Sequence, residues 1–248
     1  MAFRLREAQR ALAALSANPD DTEQAIRAIN AMAGNSAERL FKRFQRSRHG
    51  ARILREKREL YDVLSSPDQL GSMPEGSLGR GIWDFYTTEQ LSAQGLKDAS
   101  EAAAEGQPTN RADSDRALFG RRSREMHDIF HVLTGYGRDM RGEMAVLAFT
   151  YSQTKNTGIG HMVFRSLRNA GWNSDLGKLI RQGYWRGRRA EWLIGQDWEA
   201  LLPRSLDELR ETLGIGPAPE YEQLRSPGAP KLTPALSMTH DQSIAGPH

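Results

Sequence analysis

The chain of 248 residues contains no cysteine, which excludes a disulfide framework and any thiolate metal site. A bound metal would have to be held by nitrogen and oxygen alone. No apolar run approaches membrane-spanning length, and 38% hydrophobic residues with a mean hydropathy of −0.63 describe helices with wide polar faces. There is no internal repeat of solenoid period. A nucleotide-phosphate loop is also missing: the glycines of Gly76-Ser77-Leu78-Gly79-Arg80-Gly81 have the wrong spacing and follow no strand. Charge of one sign is scarce, since 34 basic and 31 acidic residues leave a net +3, and no nucleic-acid partner is expected. The N-terminal residues 1–17 mix Arg4, Arg6, Glu7 and Arg10 into an apolar periodicity, so they lack the h-region of a secretory signal. A cytoplasmic protein is expected.

What is present is helical periodicity, with no run of alternating β-branched residues, so the fold class is all-α. Phe3, Leu5, Ala8, Leu12 and Leu15 form one apolar stripe, ended by the turn 16–19. A second helix begins after Asn18 to Asp21, with Ala25, Ile26, Ile29 and Met32 as its buried face. Phe41, Phe44, Ile53, Leu54, Leu60, Tyr61, Val63 and Leu64 continue the pattern across a break near 47–50, which places His49 in a basic turn. Breakers from Ser65 to Gly76 predict a loop before a helix holding Trp83, Phe85 and Tyr86. An Ala/Glu-rich helix from Lys97 is stopped by Gly106, Gln107 and Pro108, and the last element is Leu206 to Leu213, closed by Gly214. From Ser226 the composition turns to Pro, Gly, Ala, Ser and Thr, which predicts disorder. The expected plan is a single multi-helix domain: an N-terminal helical segment over 1–50 packing on a core of 51–225, then a tail over 226–248.

The segment 178–189 concentrates Lys178, Arg181, Arg186, Arg188 and Arg189 beside Tyr184 and Trp185. It reads as a solvated helix face or, second, as a surface drawn to anionic lipid headgroups, with nucleic acid third.

The chemistry gathers elsewhere. Met126-His127-Asp128-Ile129-Phe130-His131 lies in a helical pattern, and at about 100° per residue His127 and His131 stand about 40° apart on the wheel, with Asp128 about 60° from His131. His-x-x-x-His on one turn brings two imidazoles to the separation that one ion requires. The helix meets Gly135 and Gly137, and Glu143 then opens a second apolar run, Met144 to Phe149. A helical hairpin returns that carboxylate to the histidine pair, and a buried Glu needs a partner. His127, Asp128, His131 and Glu143 are therefore the expected ligands of one divalent metal ion at the centre of the domain. Zinc, iron, manganese or cobalt suits two His and two carboxylates, and the oxygen share keeps magnesium in range. His161, after Gly158 and Gly160, is a candidate to support the ligands from behind, and His49, His240 and His248 are read as unrelated to the site.

His127-Asp128-x-x-His131, eleven residues, then Glu143 resembles the signature of the coenzyme Q protein four family of ubiquinone biosynthesis. Leu70 to Arg80 is similar to that family's Pro-x-Gly-Ser-Leu-Gly-Arg segment, and Tyr184-Trp185-Arg186, Trp198-Glu199 and 206–217 are similar to its C-terminal third. The resemblance runs from about Arg52 to about Tyr221. It implies an all-helical metal-binding protein acting at the inner membrane surface on a polyprenylated benzoquinone precursor, assembled with other ubiquinone-biosynthesis enzymes and forming a homo-oligomer. The implied reaction replaces the ring carboxyl at C1 of a prenylated 4-hydroxybenzoate-derived head group with a hydroxyl, an oxidative decarboxylation, with His127, His131 and Glu143 as ligands and Asp128 as ligand, orienter or proton acceptor. Two alternatives stay open, a non-catalytic lipid-binding scaffold and a metal-dependent hydrolase. The chain departs from the family in having Phe130 where Trp is common, read as an aromatic wall of the site, and in lacking a Gly-Leu-Pro-Met turn at 157–162.

Overall fold

A computed structural model describes residues 3–18, 21–104 and 113–225. Among them there is no strand, only an isolated bridge between Ser77 and Ser205. The helices are α1 (Leu5–Ala17), α2 (Thr22–Met32), α3 (Ser36–Arg46), α4 (Arg48–Glu56), α5 (Leu60–Leu64), α6 (Pro67–Gly71), α7 (Leu78–Glu89), α8 (Ala93–Ala104), α9 (Asp115–Thr134), α10 (Met140–Thr154), α11 (Thr157–Ala170), α12 (Asp175–Arg189), α13 (Trp198–Leu201) and α14 (Leu206–Thr212). The all-α, single-domain expectation holds. No described helix is long and apolar enough to cross a membrane.

The principal core surrounds α9. Its Met126, Ile129, Phe130 and Leu133 are buried with Phe44, Ile53, Leu60, Ile82, Phe149 and Trp198. The hairpin partner α10 is buried on several sides because α12 lies directly on it. A Cβ at Gly183 would run into the Ala145 carbonyl, so glycine there lets the two backbones approach. A second, smaller cluster joins Leu147 and Ala148 of α10 to Ile159, Met162 and Val163 of α11 and Ile180 of α12, with Leu15, Ala25 and Ile29 packed against it.

Several local expectations change. Phe3 and Leu5 are 53% and 59% exposed, and the buried residues of α1 are Ala8 and Ala11. α1 packs on α2, whose buried residues are likewise alanines, Ala28 and Ala31, while Ala25, Ile26, Ile29 and Met32 are only half-buried. The break at 47–50 shrinks to Ser47, whose hydroxyl accepts the Gly50 N–H at 3.1 Å and restarts the chain as α4 at once. His49 is thus helical, not in a turn. The predicted loop 65–76 contains α6, with Pro67 pre-set for its first turn. The stop at Gly106 to Pro108 and the expected tail from Ser226 lie outside the described residues.

Candidate metal centre

Ser114 caps α9 by accepting the Ala117 N–H, and the helix ends at Gly135, whose φ of 74° is the left-handed geometry that glycine adopts without strain. The next helix opens on Asp139. This buried carboxylate accepts the N–H groups of Arg141 (3.0 Å) and Gly142 (3.2 Å), and Glu143 follows in the first turn of α10. Capping at both ends therefore fixes where the two site-bearing turns face each other.

His127, His131 and Glu143 converge there, with one ligand atom of each lying within 4.8 Å of the others. The two Nε2 atoms are 3.1 Å apart, and Oε2 of Glu143 is 3.5 Å from each. Donors on a tetrahedral ion with bonds of about 2.0–2.1 Å stand about 3.3 Å apart, so the observed triangle fits one ion of that size. The tautomer fits as well. Nδ1 of His131 lies 2.9 Å from the Tyr136 carbonyl, which can only accept, so Nδ1 carries the proton and Nε2 presents its lone pair to the triangle. Phe85 stacks on the His131 ring at 5.4 Å and 20° between planes, which fixes its tilt.

Electrostatics agrees with the geometry. Burial pushes the Glu143 carboxyl up, but the charge of His131 and hydrogen bonds from both histidines outweigh it and hold Glu143 well below the usual carboxylate range. Burial pushes His131 down, and the Glu143 charge with the Tyr136 carbonyl more than reverses that, leaving His131 raised. These shifts describe the ion-free site, where a proton shared between the His131 Nε2 and Glu143 holds the place that a cation would take.

Asp128 stands apart from this trio. It is 8% exposed, and its Oδ2 accepts the Tyr86 hydroxyl at 3.0 Å; burial and then the Asp128 charge raise the Tyr86 pKa far above the usual phenol value, so the phenol stays a donor. Of the four predicted residues the structure thus brings three to a point and sets the fourth against α7. Phe130 is not a wall of the site: its ring packs edge-on against Phe149 and Trp198 at 5.5 and 6.4 Å, in the core. His161 is exposed on α11, away from any supporting role, and His240 and His248 lie outside the described residues.

Sequence reasoning missed the residues that hold the ligands. Phe85 and Tyr86 were visible only as an aromatic helix, and the Tyr136 carbonyl leaves no side-chain signal. Arg138 Nε, 3.6 Å from Glu143 Oε1, was not singled out. Most unexpected is the non-helical strap formed by residues 215–225. The Tyr221 hydroxyl donates to Asp139 Oδ2 at 2.6 Å and accepts the Gly137 N–H at 2.8 Å, and the Leu224 N–H donates to Asp139 Oδ1 at 3.0 Å. Arg225 pairs with the buried Glu89 of α7, and Arg186 donates to the carbonyls of Thr134, Ile215, Gly216 and Pro217. The strap thereby ties α7, the end of α9 and the start of α10 together.

Comparison with known proteins follows the same outline. Residues 5–219 match the family model described as coenzyme Q (ubiquinone) biosynthesis protein Coq4. The ubiquinone biosynthesis protein of Sclerotinia sclerotiorum is 29% identical over 178 residues, covering 71% of this chain and 60% of that protein. That of Yarrowia lipolytica is 31% identical over 189 residues, covering 73% of this chain and 67% of its own length. A crystal structure from Nostoc punctiforme shares the fold, with a TM-score of 0.59 at 22% identity over 87% of this chain and all of that one. Both fungal relatives are named as mitochondrial proteins, which overturns the cytoplasmic expectation. The make-up of residues 1–17, on which that expectation rested, is silent on organelle addresses. With 215 residues matched by the family model, this chain belongs to the Coq4 family of coenzyme Q (ubiquinone) biosynthesis proteins.

Proposed function

We propose that the chain binds one divalent metal ion through His127, His131 and Glu143 and acts in ubiquinone biosynthesis as an oxidative decarboxylase of a polyprenylated 4-hydroxybenzoate-derived precursor. The observation that carries this reading is the triangle of donor atoms at 3.1, 3.5 and 3.5 Å with the His131 lone pair fixed inward. Three protein donors leave an open position, the arrangement of catalytic rather than structural sites. Zinc leads on donor chemistry, with iron, manganese, cobalt and magnesium as alternatives.

In the net reaction the bond from C1 to its carboxyl carbon breaks, carbon dioxide leaves, a water oxygen forms the new C–O bond at C1, and two electrons with two protons pass to an oxidant such as O₂, which becomes hydrogen peroxide. When bound, the ion would supply Lewis acidity toward the phenol and carboxylate oxygens of the head group. The chain's own residues do the rest. Phe85 and the Tyr136 carbonyl hold the His131 ring, and Arg138 keeps a positive charge beside Glu143. Asp128, fixed by the Tyr86 hydroxyl, orients the site or accepts a proton from the head group. Retention of full metal content and full activity in Asp128→Asn would rule out the proton role.

The partners in this reading are the prenylated quinone precursor, other enzymes of the same pathway, a membrane surface and further copies of the chain. The first test is the lipid-quinone profile of cells carrying His127→Ala, beside wild type and a deletion. Loss of ubiquinone with accumulation of a carboxylated prenyl precursor in both altered strains is expected. Normal ubiquinone in the point variant, with loss only on deletion, would replace the enzyme with a lipid-holding scaffold.

A further inference from the structure

The outer faces of α11 and α12 combine two features that rarely coexist on a free surface. Phe164, Trp172 and Trp185 are 65%, 60% and 55% exposed, and all three stand on this helix pair and its connecting turn. Residues 155–189 also hold eight cations against a single acid, Asp175, in a chain whose total charge is +3. Arg165 and Arg168 lie beside Phe164 along a shallow cavity of about 350 Å³ on the outside of α11.

The aromatics are held outward rather than folded down. The Arg181 guanidinium lies 4.6 Å from the centre of the Trp172 ring and donates to the Trp172 carbonyl at 3.3 Å, so the indole is braced on one side and open on the other. Trp185 leans edge-on against Tyr184 at 5.4 Å. The inner faces are already used, since Met162, Val163 and Ile180 fill the second cluster and Arg186 is consumed by backbone carbonyls.

We propose that this face docks on an anionic bilayer surface, with Phe164, Trp172 and Trp185 entering the headgroup layer and the arginines beside them pairing with lipid phosphates. Indole and benzyl groups partition to that layer, and basic residues near it are attracted by its negative potential. A second copy of the chain is a poorer occupant: a two-fold contact would set this strongly basic face against itself. Another basic ridge, Arg39, Lys42, Arg43 and Arg46 on α3, lacks exposed aromatics, because its neighbour Trp192 is covered by Arg43 at 3.9 Å. The proposal extends the reading above, since a prenylated substrate resides in a bilayer, but its test reads binding alone.

The test is co-sedimentation of the full chain with phosphatidylcholine vesicles with and without phosphatidylglycerol, for wild type, R165E/R168E, W172A/W185A, R39E/R43E/R46E and H127A. Wild type, the α3 variant and H127A should bind the anionic vesicles alike, whereas the first two variants should bind about tenfold or more weakly with unchanged helicity. No binding by wild type, loss only in the α3 variant, or a W172A/W185A protein that changes oligomeric state yet still binds vesicles would overturn it. Because H127A is predicted to keep binding, failure of the chemistry and failure of the docking face give different results.

Discussion

Two groups of ionisable side chains flank α9, one buried and one partly open, and they are built on opposite principles. On one side Arg122, fully buried, forms a two-pronged pair with Glu199 at 2.7 and 2.6 Å, and the 6%-exposed Asp197 carboxylate takes Arg58 at 2.9 Å on both oxygens and Arg52 at 2.5 Å. Every carboxylate there faces a guanidinium. On the other side His127, His131 and Glu143 crowd three electron-rich atoms together, with Arg138 only at 3.6 Å. The first group pairs its carboxylates with guanidinium donors of the protein itself, whereas the second presents a donor triangle of the size that one cation fits. Arginine is permanently charged and suits the former; imidazole can offer a neutral lone pair and suits the latter.

The sharpest way to break this contrast is to remove one partner from each group. Glu199→Ala leaves the Arg122 guanidinium buried and unpaired, which should cost about 3–5 kcal/mol in urea unfolding while metal bound per folded molecule is unchanged. His127→Ala removes a side chain that is 28% exposed, so the metal-free protein should change by no more than about 1 kcal/mol. What it should lose is stabilisation by metal: wild type gains about 2.7 kcal/mol when the free ion reaches about 100 times its Kd, and the variant gains none at that concentration. Equal metal-induced shifts in melting temperature for the two proteins would end the distinction between the groups.

Acid offers a smaller and more selective probe. Burial pushes the Asp197 carboxyl up, but the hydrogen bond and charge of Arg58, helped by Arg52 and Arg122, hold it below its ordinary value. A carboxyl depressed on folding contributes stability that is fully present above its unfolded pKa of about 3.9 and is lost as pH falls through the folded value. Unfolding free energy followed downward from pH 5 should therefore fall less steeply in Asp197→Asn than in wild type, the variant being weaker at neutral pH. Identical slopes would mean that this group adds nothing linked to protons.

How much of this could be read from sequence depends on how local the causes are. The all-α class, the helix bearing His127 and His131, and the return of Glu143 follow from periodicity and from the glycines at 135 and 137, all within one hairpin. The burial of α1 could be read only in part: Ala8 lies in its apolar stripe, but Ala11 lies outside that stripe and is buried where α1 packs on α2. Asp128 lies on the same side of the helix as the ligands, and the wheel grouped it with them; its actual direction is set by Tyr86, 42 residues earlier in the chain. The Arg122–Glu199 pair spans 77 residues, and neither member carries a pattern that identifies the other.

The strap is another distant cause, Tyr221 lying 82 residues beyond Asp139, and gives the smallest predicted effect, although it bears directly on why the two charge groups differ. Asp139 is as buried as the paired carboxylates, at 2% exposure, yet its oxygens take backbone N–H groups and the Tyr221 hydroxyl. That makes it a directional anchor for the first turn of α10, with Glu143 bonded back through its own N–H to the Asp139 carbonyl at 2.9 Å. Tyr221→Phe keeps the ring and removes both hydroxyl contacts, so stability should fall by about 1 kcal/mol. If Tyr221 only adds stability, cobalt affinity and the visible spectrum of the cobalt-loaded protein should be those of wild type. If it also positions Glu143, affinity should weaken by about tenfold with an altered spectrum, as for other groups that orient a ligand from behind. The second result is expected, because a carboxylate one helical turn from its cap moves with that cap, whereas His131, held by Phe85 and the Tyr136 carbonyl, does not.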